Sequence, residues 1–515
     1  MVVEYLKKGQ AMMCNNFAEL VCNHSDQDKI AVIHDTGSVT YRELGQLVKQ
    51  FAYQLNDKDI HPGDRVVMLM SDRIEWVIAF LGCMYAGAVP AVVSPKVLPK
   101  KYQQAIEITR ARAIITDIED KLTVDKNIII LTPNDVTQKS KQLDNAHKFL
   151  SDEIGMFIPS SGTTGRQKFI AHRHENFITY IDKASSAMKL DQSSIVHGTS
   201  TLNHIAGTNI TITIGLGVGS TVILSGKTVI PNCLYKTLVK HNVTHFHSHP
   251  GVYAMMSTVK KSLPIPSLKF AGCFSQQYPK KIALEWEKIY GLRPQNGYGL
   301  TETFSLTMLQ SFDEDKSLQQ DGKHDTSLGQ PVSGTECEIR DEQGQLCENN
   351  VVGELYVSSS TSGSYYLNDW AMTKLTFVGK WVKTNDLVYR DNNNNIHYVS
   401  RKDDVVKING YLVSMNEVQE AIEQHPDIED CVVQRTTNKH GLDKLSTQIV
   451  MKKDRIADIV AIRRFLLTEL DSTKVPKYID IVKDLPIELV DEIAKTISGK
   501  KIIRKEIGDT NDVTN

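Results

Sequence analysis

A layered α/β core followed by a small α+β domain is the fold this chain predicts, and three observations predict it. Short β-rich runs alternate with amphipathic stretches from Ile30 onwards. After Gly329 that alternation gives way to short strands and tight turns. The chain's 515 residues also exceed what one domain of about 100–200 residues holds, so roughly two to four domains are expected.

The elements follow in order. Gly63-Asp64 turns the chain into a strand at Val66–Met70, a helix follows at Ile74–Tyr85 with Gly87 as its C-cap, and Val89–Val93 is the next strand. This is a βαβ unit. Ala113–Thr116, Ile128–Leu131, Thr221–Leu224 and His245–Ser248 continue the strands, with helical stretches between them, as in a doubly wound sheet. Beyond Gly329, strands are expected at Gly353–Val357, Trp381–Lys383 and Leu387–Arg390, the last pairing with Ile396–Val399 across the Asp391–Asn395 turn. After Ser400, helices at Met415–Glu423 and Ile459–Leu470 and strands near Cys431–Gln434 and Leu445–Met451 make a smaller unit. Repeats and long flexible linkers are absent, and the residues from Gly508 on read as a frayed end.

Composition narrows the function. Hydrophobic residues at 41% and charged residues at 23% fit a globular chain rather than a disordered or fibrous one. Lys+Arg 59 against Asp+Glu 61 leaves a net charge of -2, with no basic field to draw a nucleic-acid backbone. Eight cysteines without a CxxC pair suggest reduced thiols in a cytosolic enzyme. Met1–Leu20 lacks an apolar run of signal-peptide length, and stretches such as Trp76–Ala88 are shorter than the roughly 20 residues of a spanning helix. A cytoplasmic, soluble protein is therefore expected.

A polar turn carries the first chemical signal. Between the β-like runs Met156–Ile158 and Phe169–Ala171 lie Ser160-Ser161-Gly162-Thr163-Thr164-Gly165-Arg166-Gln167-Lys168. Hydroxyls, glycine amides that converge at positive φ, and one lysine are the groups that wrap phosphate oxygens. The nucleotide-hydrolase P-loop is excluded, because Gln167 precedes Lys168 and Phe169 follows it. An ordinary solvated loop is the alternative until the downstream sequence is weighed.

Four further stretches stand in the order found in the adenylate-forming superfamily of acyl-CoA synthetases, luciferases and adenylation domains, which the loop also resembles. They are Gly297-Tyr298-Gly299-Leu300-Thr301-Glu302, Lys383-Thr384-Asn385-Asp386-Leu387, Arg401–Gly410 and Ser498-Gly499-Lys500, preceded by Thr40–Leu44, Gly63–Val66 and Phe80–Gly82. The resemblance implies a large N-terminal AMP- and acid-binding domain over 1–400, built of layered α/β subdomains plus a distorted β-barrel. A small mobile C-terminal lid over 401–515 would turn on a hinge near Asp403. It further implies ATP, Mg²⁺ and CoA as cofactors. Activating an acid as its adenylate places developing negative charge on phosphorus, which cations and N–H donors must stabilise.

By the same resemblance, Tyr298 stacks on adenine, Gly272 and Cys273 line one adenine face, and Thr301 contacts phosphate or carboxylate. Glu302 with Thr163 holds Mg²⁺, a hard cation that prefers oxygen. Asp386 takes the ribose hydroxyls and Arg401 the ribose or phosphate. Lys500 is the mobile adenylating lysine, with Lys501 and Lys495 nearby after a segment several residues longer than the family's spacing. Lys407 and Gly410 approach the thiol's tunnel. His204, in Thr201–Gly207, borders the acid's carboxylate, and His247, Phe274 and Gly299 line the acid pocket. Thr199–Leu224 contains no acidic residue, so an α-amino acid, whose ammonium would need a counter-charge, is disfavoured.

Departures are Gln167 for the usual Pro, Phe169 for Gly, Asn385 for the Gly before the ribose Asp, Cys273 for a smaller residue, and a bulky Phe274. The leading expectation is an ATP-dependent ligase joining an aryl or fatty acid to CoA. Loading of a carrier protein's phosphopantetheine is the second reading and a catalytically silent nucleotide-binding scaffold a distant third. A homodimer is left open. His245, His247 and His249 alternate along a strand and are read as pocket-lining residues, with no transition metal assigned.

Overall fold

The computed structural model describes residues 15–483 and 485, apart from 98, 119–121, 123, 161–167, 226–228, 260–262, 275–279, 312–326, 403–404, 409–410, 438–442 and 471–473. The chain divides into two compact units. The first comprises Met1–Glu338, Tyr356–Thr384 and Asn393–His397, and the second Ile339–Leu355, Asn385–Asn392 and Tyr398–Asn515.

The two largest sheets lie in the first unit, which also holds strands of a five-stranded sheet such as Phe377–Val378. One has seven strands in the order Tyr365–Tyr366, Lys168–Arg173, Ile154–Ser160, Val89–Val92, Arg65–Leu69, Ala113–Thr116 and Ile129–Leu131. The other has nine, in the order Gln330–Pro331, Ser305–Leu309, Gln295–Leu300, Phe270–Cys273, His245–Ser248, Ile195–Gly198, Thr221–Ile223, Ile30–His34 and Gly37–Thr40. Their central pairings are parallel. Helices Phe17–Cys22, Tyr41–Asp57, Ile74–Ala86 and Glu175–Met188 supply one core cluster together with strand residues of both sheets, including Val66, Met68, Val196 and Val222.

The expected βαβ unit is present. Ile74–Ala86 is buried along its whole length except Glu75, because it packs between layers, and it ends where Gly87 adopts φ +82 and its N–H bonds Met84 O at 3.1 Å. One expectation needs correction: Trp381–Lys383 and Leu387–Arg390 are not separate strands but one, Trp381–Arg390, whose even-numbered residues 382–388 are buried. Asn385 takes φ +60 within it and remains exposed, so the irregular backbone is absorbed without ending the strand.

The second unit includes the hairpin Val405–Ile408/Tyr411–Ser414, helix Met415–Glu423, helix Ile459–Glu469 and a three-stranded sheet of Ile428–Thr437, Asp443–Met451 and Tyr478–Ile481. Its own core contains Val418, Ile422, Cys431, Ile449, Ile462 and Leu466. No helix among the described residues is long and apolar enough to cross a membrane. The seven described cysteines are free thiols.

Three buried histidines tie stability to pH. Burial pushes His172, His174 and His247 down to about 3, the charge of His147 adding to this at His174 and that of His197 at His247. The unfolded chain protonates these rings below about 6.5 while the folded chain refuses, so their contribution is present above that pH and lost as pH falls towards 3. Three such groups give a slope of roughly 4 kcal/mol per pH unit well below 6.5. Denaturation midpoints should therefore drop steeply from pH 6 to pH 5, and the drop should be shallower in His174→Phe; equal pH dependence in both proteins would contradict it.

Candidate active site

The strands end where the sequence places its motifs. Gly198, Ser248, Cys273 and Leu300 close the neighbouring strands of the nine-stranded sheet, so the loops bearing Phe274 and the Thr301–Thr303 turn leave its carboxyl edge side by side. The polar turn is the tip of a hairpin in the other sheet, whose stem closes with Ser160 opposite Lys168. Both stem residues are half-buried. Ser161, Gly162, Thr163, Thr164 and Gly165 lie outside the described residues.

What joins the two sheets here is a set of hydrogen bonds to one short turn. Thr301, Glu302 and Thr303 form a 3-10 turn, and each of their carbonyls accepts a hydrogen bond from outside it, one from a strand and two from the loop 360–364. His172 Nε2 reaches Thr301 O at 2.8 Å, Gly363 N–H reaches Glu302 O at 2.8 Å, and Thr361 Oγ1 reaches Thr303 O at 3.1 Å. A carbonyl can only accept, so His172 carries its proton on Nε2; its Nδ1 is buried with no partner, as a neutral ring allows. The chain then passes through Phe304 and Ser305 at φ +64 and +89, a conformation costly for residues bearing a Cβ. Phe304 is held there by edge contacts with His172, Phe177 and Tyr180 and by Asn209 Nδ2, which donates to its carbonyl at 3.0 Å.

The turn presents a carboxylate in a fixed direction. Tyr366 is 6% exposed, and its hydroxyl donates to Glu302 Oε1 at 2.6 Å. The same ring has Lys168 Nζ 6.0 Å from its centroid, so one tyrosine stands between the hairpin's lysine and the turn's acid. Behind it, Lys183 is 4% exposed and donates from Nζ to Ser359 Oγ at 2.7 Å; Ser359 Oγ lies 3.0 Å from Thr361 Oγ1. Burial pushes the Lys183 ammonium down to about 8. Tyr366, His172, Thr361 and Lys183 were not legible as site residues. The only trace of His172 in the sequence is a polar side chain on the inward side of a β-run.

His204 opens an unusual helix. Its Nδ1 accepts from Ala206 N–H at 3.3 Å, which leaves Nε2 as the ring's donor, and burial lowers its proton affinity, so it is neutral at pH 7. Gly207–Ile214 then runs as a fully buried π-helix, a form concentrated at functional sites. From it Thr211 Oγ1 meets His247 Nε2 at 2.8 Å. His245 bonds Thr244 Oγ1 and Met188 O instead, and no group of three or more metal-binding side chains occurs among the described residues. Tyr298 is half-buried. Gly299 is glycine because a Cβ there would lie 1.9 Å from Ser305 O. Cys273 faces the opposite way from Phe274, into a core with Phe246, Tyr253 and Trp286, so only its backbone can line a site on the Phe274 side.

In the second unit, Asp386 lies on the buried side of its strand at 2% exposure, and Arg401 Nε approaches its Oδ1 at 3.1 Å. Lys407 sits on the strand Val405–Ile408. Asp403, Gly410 and Lys500 fall outside the described residues. Asn385 explains a departure from the family's pattern: at φ +60 glycine is unstrained, and asparagine is the side-chain-bearing residue that tolerates it best. Asn385→Gly should leave the thermal midpoint within a degree or two, whereas Asn385→Val should cost about 1–2 kcal/mol. A valine variant as stable as the wild type would show that the left-handed backbone is not required.

The geometry agrees with the comparisons to known proteins. The model of the AMP-binding enzyme family matches residues 20–367. The 4-hydroxybenzoate–CoA/benzoate–CoA ligase of Rhodopseudomonas palustris is 26% identical over 497 residues, 92% of this chain and 89% of that protein. Bacitracin synthase 2 of Bacillus licheniformis is also 26% identical, over 488 residues that make up 92% of this chain but 18% of the synthase. Among solved structures, a benzoate CoA ligase from Burkholderia xenovorans matches with a TM-score of 0.78 at 25% identity, covering 92% of this chain and 97% of that one. With over half its length matched, and an acid and a lysine-bearing hairpin brought together at the sheets' edge, the chain belongs to the AMP-binding enzyme family.

Proposed function

We propose that this enzyme joins an aryl carboxylic acid to CoA at the expense of ATP, releasing AMP and pyrophosphate. The observation that carries the reading is the clamped turn: a carboxylate, Glu302, fixed by Tyr366 through one oxygen beside the Lys168 hairpin. In the first step the acid's carboxylate oxygen attacks the α-phosphorus and the bond to pyrophosphate breaks. In the second, the thiol sulfur attacks the acyl carbon and the bond to AMP breaks.

Each residue has a part in this reading. Lys168 and the loop from Ser160 to Gly165 hold phosphate oxygens, and Lys168 offsets their charge. Tyr298 stacks on adenine with the backbone at Gly272 and Cys273 beside it. Asp386 takes the ribose hydroxyls and Arg401 orients Asp386 by the ion pair between them. His204, neutral with its donor on Nε2, hydrogen-bonds the acid's carboxylate without adding charge that would quench its nucleophilicity. Lys500 neutralises the acid and α-phosphate during the first step. After Asp403 turns the small domain, Lys407 and Gly410 border the pantetheine.

The donor set fits Mg²⁺. That cation takes one or two carboxylates plus substrate phosphates rather than an all-protein cage, and Glu302 has its second oxygen, Oε2, beyond the one held by Tyr366. Thr163 would add a hydroxyl. When bound, the ion neutralises phosphate charge as pyrophosphate leaves.

Carrier loading is the second reading, favoured by the match to bacitracin synthase 2. Against it stands the correspondence of this chain to nearly the whole of a free-standing benzoate ligase. Pyrophosphate release with MgATP across aryl, short, medium and long-chain acids, with and without CoA, separates them. Release with aryl acids, raised by CoA and accompanied by acyl-CoA, is expected; acyl-AMP formation indifferent to CoA would favour the carrier. Tyr366→Phe should raise the Mg²⁺ needed for half-maximal rate about tenfold and weaken Mn²⁺ binding, read by electron paramagnetic resonance in the presence of a non-hydrolysable ATP analogue, to a similar extent. Unchanged Mn²⁺ affinity would remove the positioning role from Tyr366.

A further inference from the structure

A polar cleft of about 650 Å³ opens in the first unit, within the roughly 300–1,000 Å³ that small-molecule sites occupy. Strand Lys168–Arg173 runs between it and the hairpin tip, since Lys168 pairs with Ser160 where the stem closes and Arg173 lines the cleft. Five residues at about 3.3 Å each put roughly 17 Å between the two. The cleft is therefore separate from the nucleotide loop.

Its wall is rich in hydroxyls. Ser358, Ser359, Ser360, Ser362 and Ser364 line it, Ser360 exposed and the others half-buried. A hydroxyl turns its proton towards whatever acceptor is offered, so a wall of serines suits a group with several oxygens. The same run of chain carries Thr361, whose hydroxyl bonds Thr303 O, so an occupant of the cleft would rest on the segment that holds the Glu302 turn.

Charge decides what kind of group that is. The two cations that line the cleft are neutralised within the chain: Arg173 Nη2 lies 3.0 Å from Glu175 Oε1, and Lys380 Nζ lies 2.7 Å from Glu336 Oε2. Lys183 has no such partner among the described residues. It is 4% exposed, its Nζ donates to Ser359 Oγ at 2.7 Å, and burial lowers its proton affinity with no carboxylate opposing the effect. At about 8 it still carries its proton at pH 7. A buried cation without a counter-charge is costly, because the water that would solvate it is gone and nothing replaces it. The cleft offers the place for a counter-charge: an oxygen about 3.5 Å from the Ser359 hydroxyl would lie within about 6 Å of Nζ, close enough for a weakly screened attraction.

We propose that this cleft is an anion site distinct from the nucleotide loop, that it takes a small molecule bearing a phosphate-type oxyanion, and that Lys183 is the buried counter-charge it answers to across Ser359. Serine hydroxyls supply the donors and Lys183 the charge. The site stands independently of the ligase reading.

Inorganic phosphate, glycerol 3-phosphate and glycerol should be titrated calorimetrically into the full chain holding a saturating non-hydrolysable ATP analogue with Mg²⁺, and into Lys168→Met without nucleotide. Phosphate should bind in both settings with a Kd of about 1 mM or tighter, and glycerol, which has hydroxyls without charge, should not bind. Lys183→Met should weaken phosphate binding about tenfold or more. Lys183→Gln keeps an N–H donor for Ser359 without the charge, and should do the same if methionine impairs folding. Ser360→Glu puts a carboxylate into the cleft from an exposed position and should exclude phosphate with the fold intact. Glycerol 3-phosphate binding more tightly than phosphate would identify an organic phosphate as the occupant, and weaker binding the free ion; both uphold the site. Phosphate binding that disappears in either of the first two settings, that survives unchanged in the Lys183 and Ser360 variants, or that glycerol matches would overturn the proposal.

Discussion

Three backbone carbonyls in a row, each claimed by a different partner, are the constraint on which the rest of the site depends. A turn this short closes one bond on itself, Phe304 N–H to Thr301 O, and its carbonyls otherwise find partners outside it, here a strand of the other sheet, a loop amide and a threonine hydroxyl. The strained backbone at Phe304 and Ser305 persists only because those bonds and the surrounding rings over-determine it. The cost is met by packing well away from the acid it presents. Loosening His172 or Thr361 would therefore move Glu302 without touching it.

Neutrality is the second theme. The deepest histidines, 172, 174 and 247, are uncharged at physiological pH because burial disfavours the imidazolium, and His204 follows the same direction. The buried rings therefore act through shape and hydrogen bonds rather than through charge. Lys183, buried and bonded to Ser359, is the exception, a cation placed in the layer supporting the turn.

Much of the fold was legible because its signals are local. Ile74–Ala86 and its Gly87 cap, the strand His245–Ser248 and the helix Met415–Glu423 fall within a residue of expectation, since periodicity and glycine punctuation are short-range properties. Trp381–Arg390 was misread as two strands because Lys383-Thr384-Asn385-Asp386 resembles a break; the alternation of buried residues through it appears only once tertiary contacts are known. The site divides in the same way. Glu302, Lys168 and Asp386 belong to recognisable runs, whereas Tyr366 and His172 acquire their meaning from partners 64 and 129 residues away in the chain. No window along the sequence contains both halves of such a contact.

The π-helix at Gly207–Ile214 has an evolutionary side. Its i→i+5 bonding encloses one more residue in each hydrogen-bonded ring than an α-helix does, so removing a single residue there would restore the ordinary ladder at little backbone cost. The side chains within the widened segment would then be re-phased about the axis, by up to roughly 100° for a shift of one position. Thr211 would leave His247, and the buried face of this segment would be recomposed in one genetic event. The interior of this unit is accordingly exposed to changes in length as well as to substitutions, and libraries that vary helix length would reach packings that point mutations sample slowly.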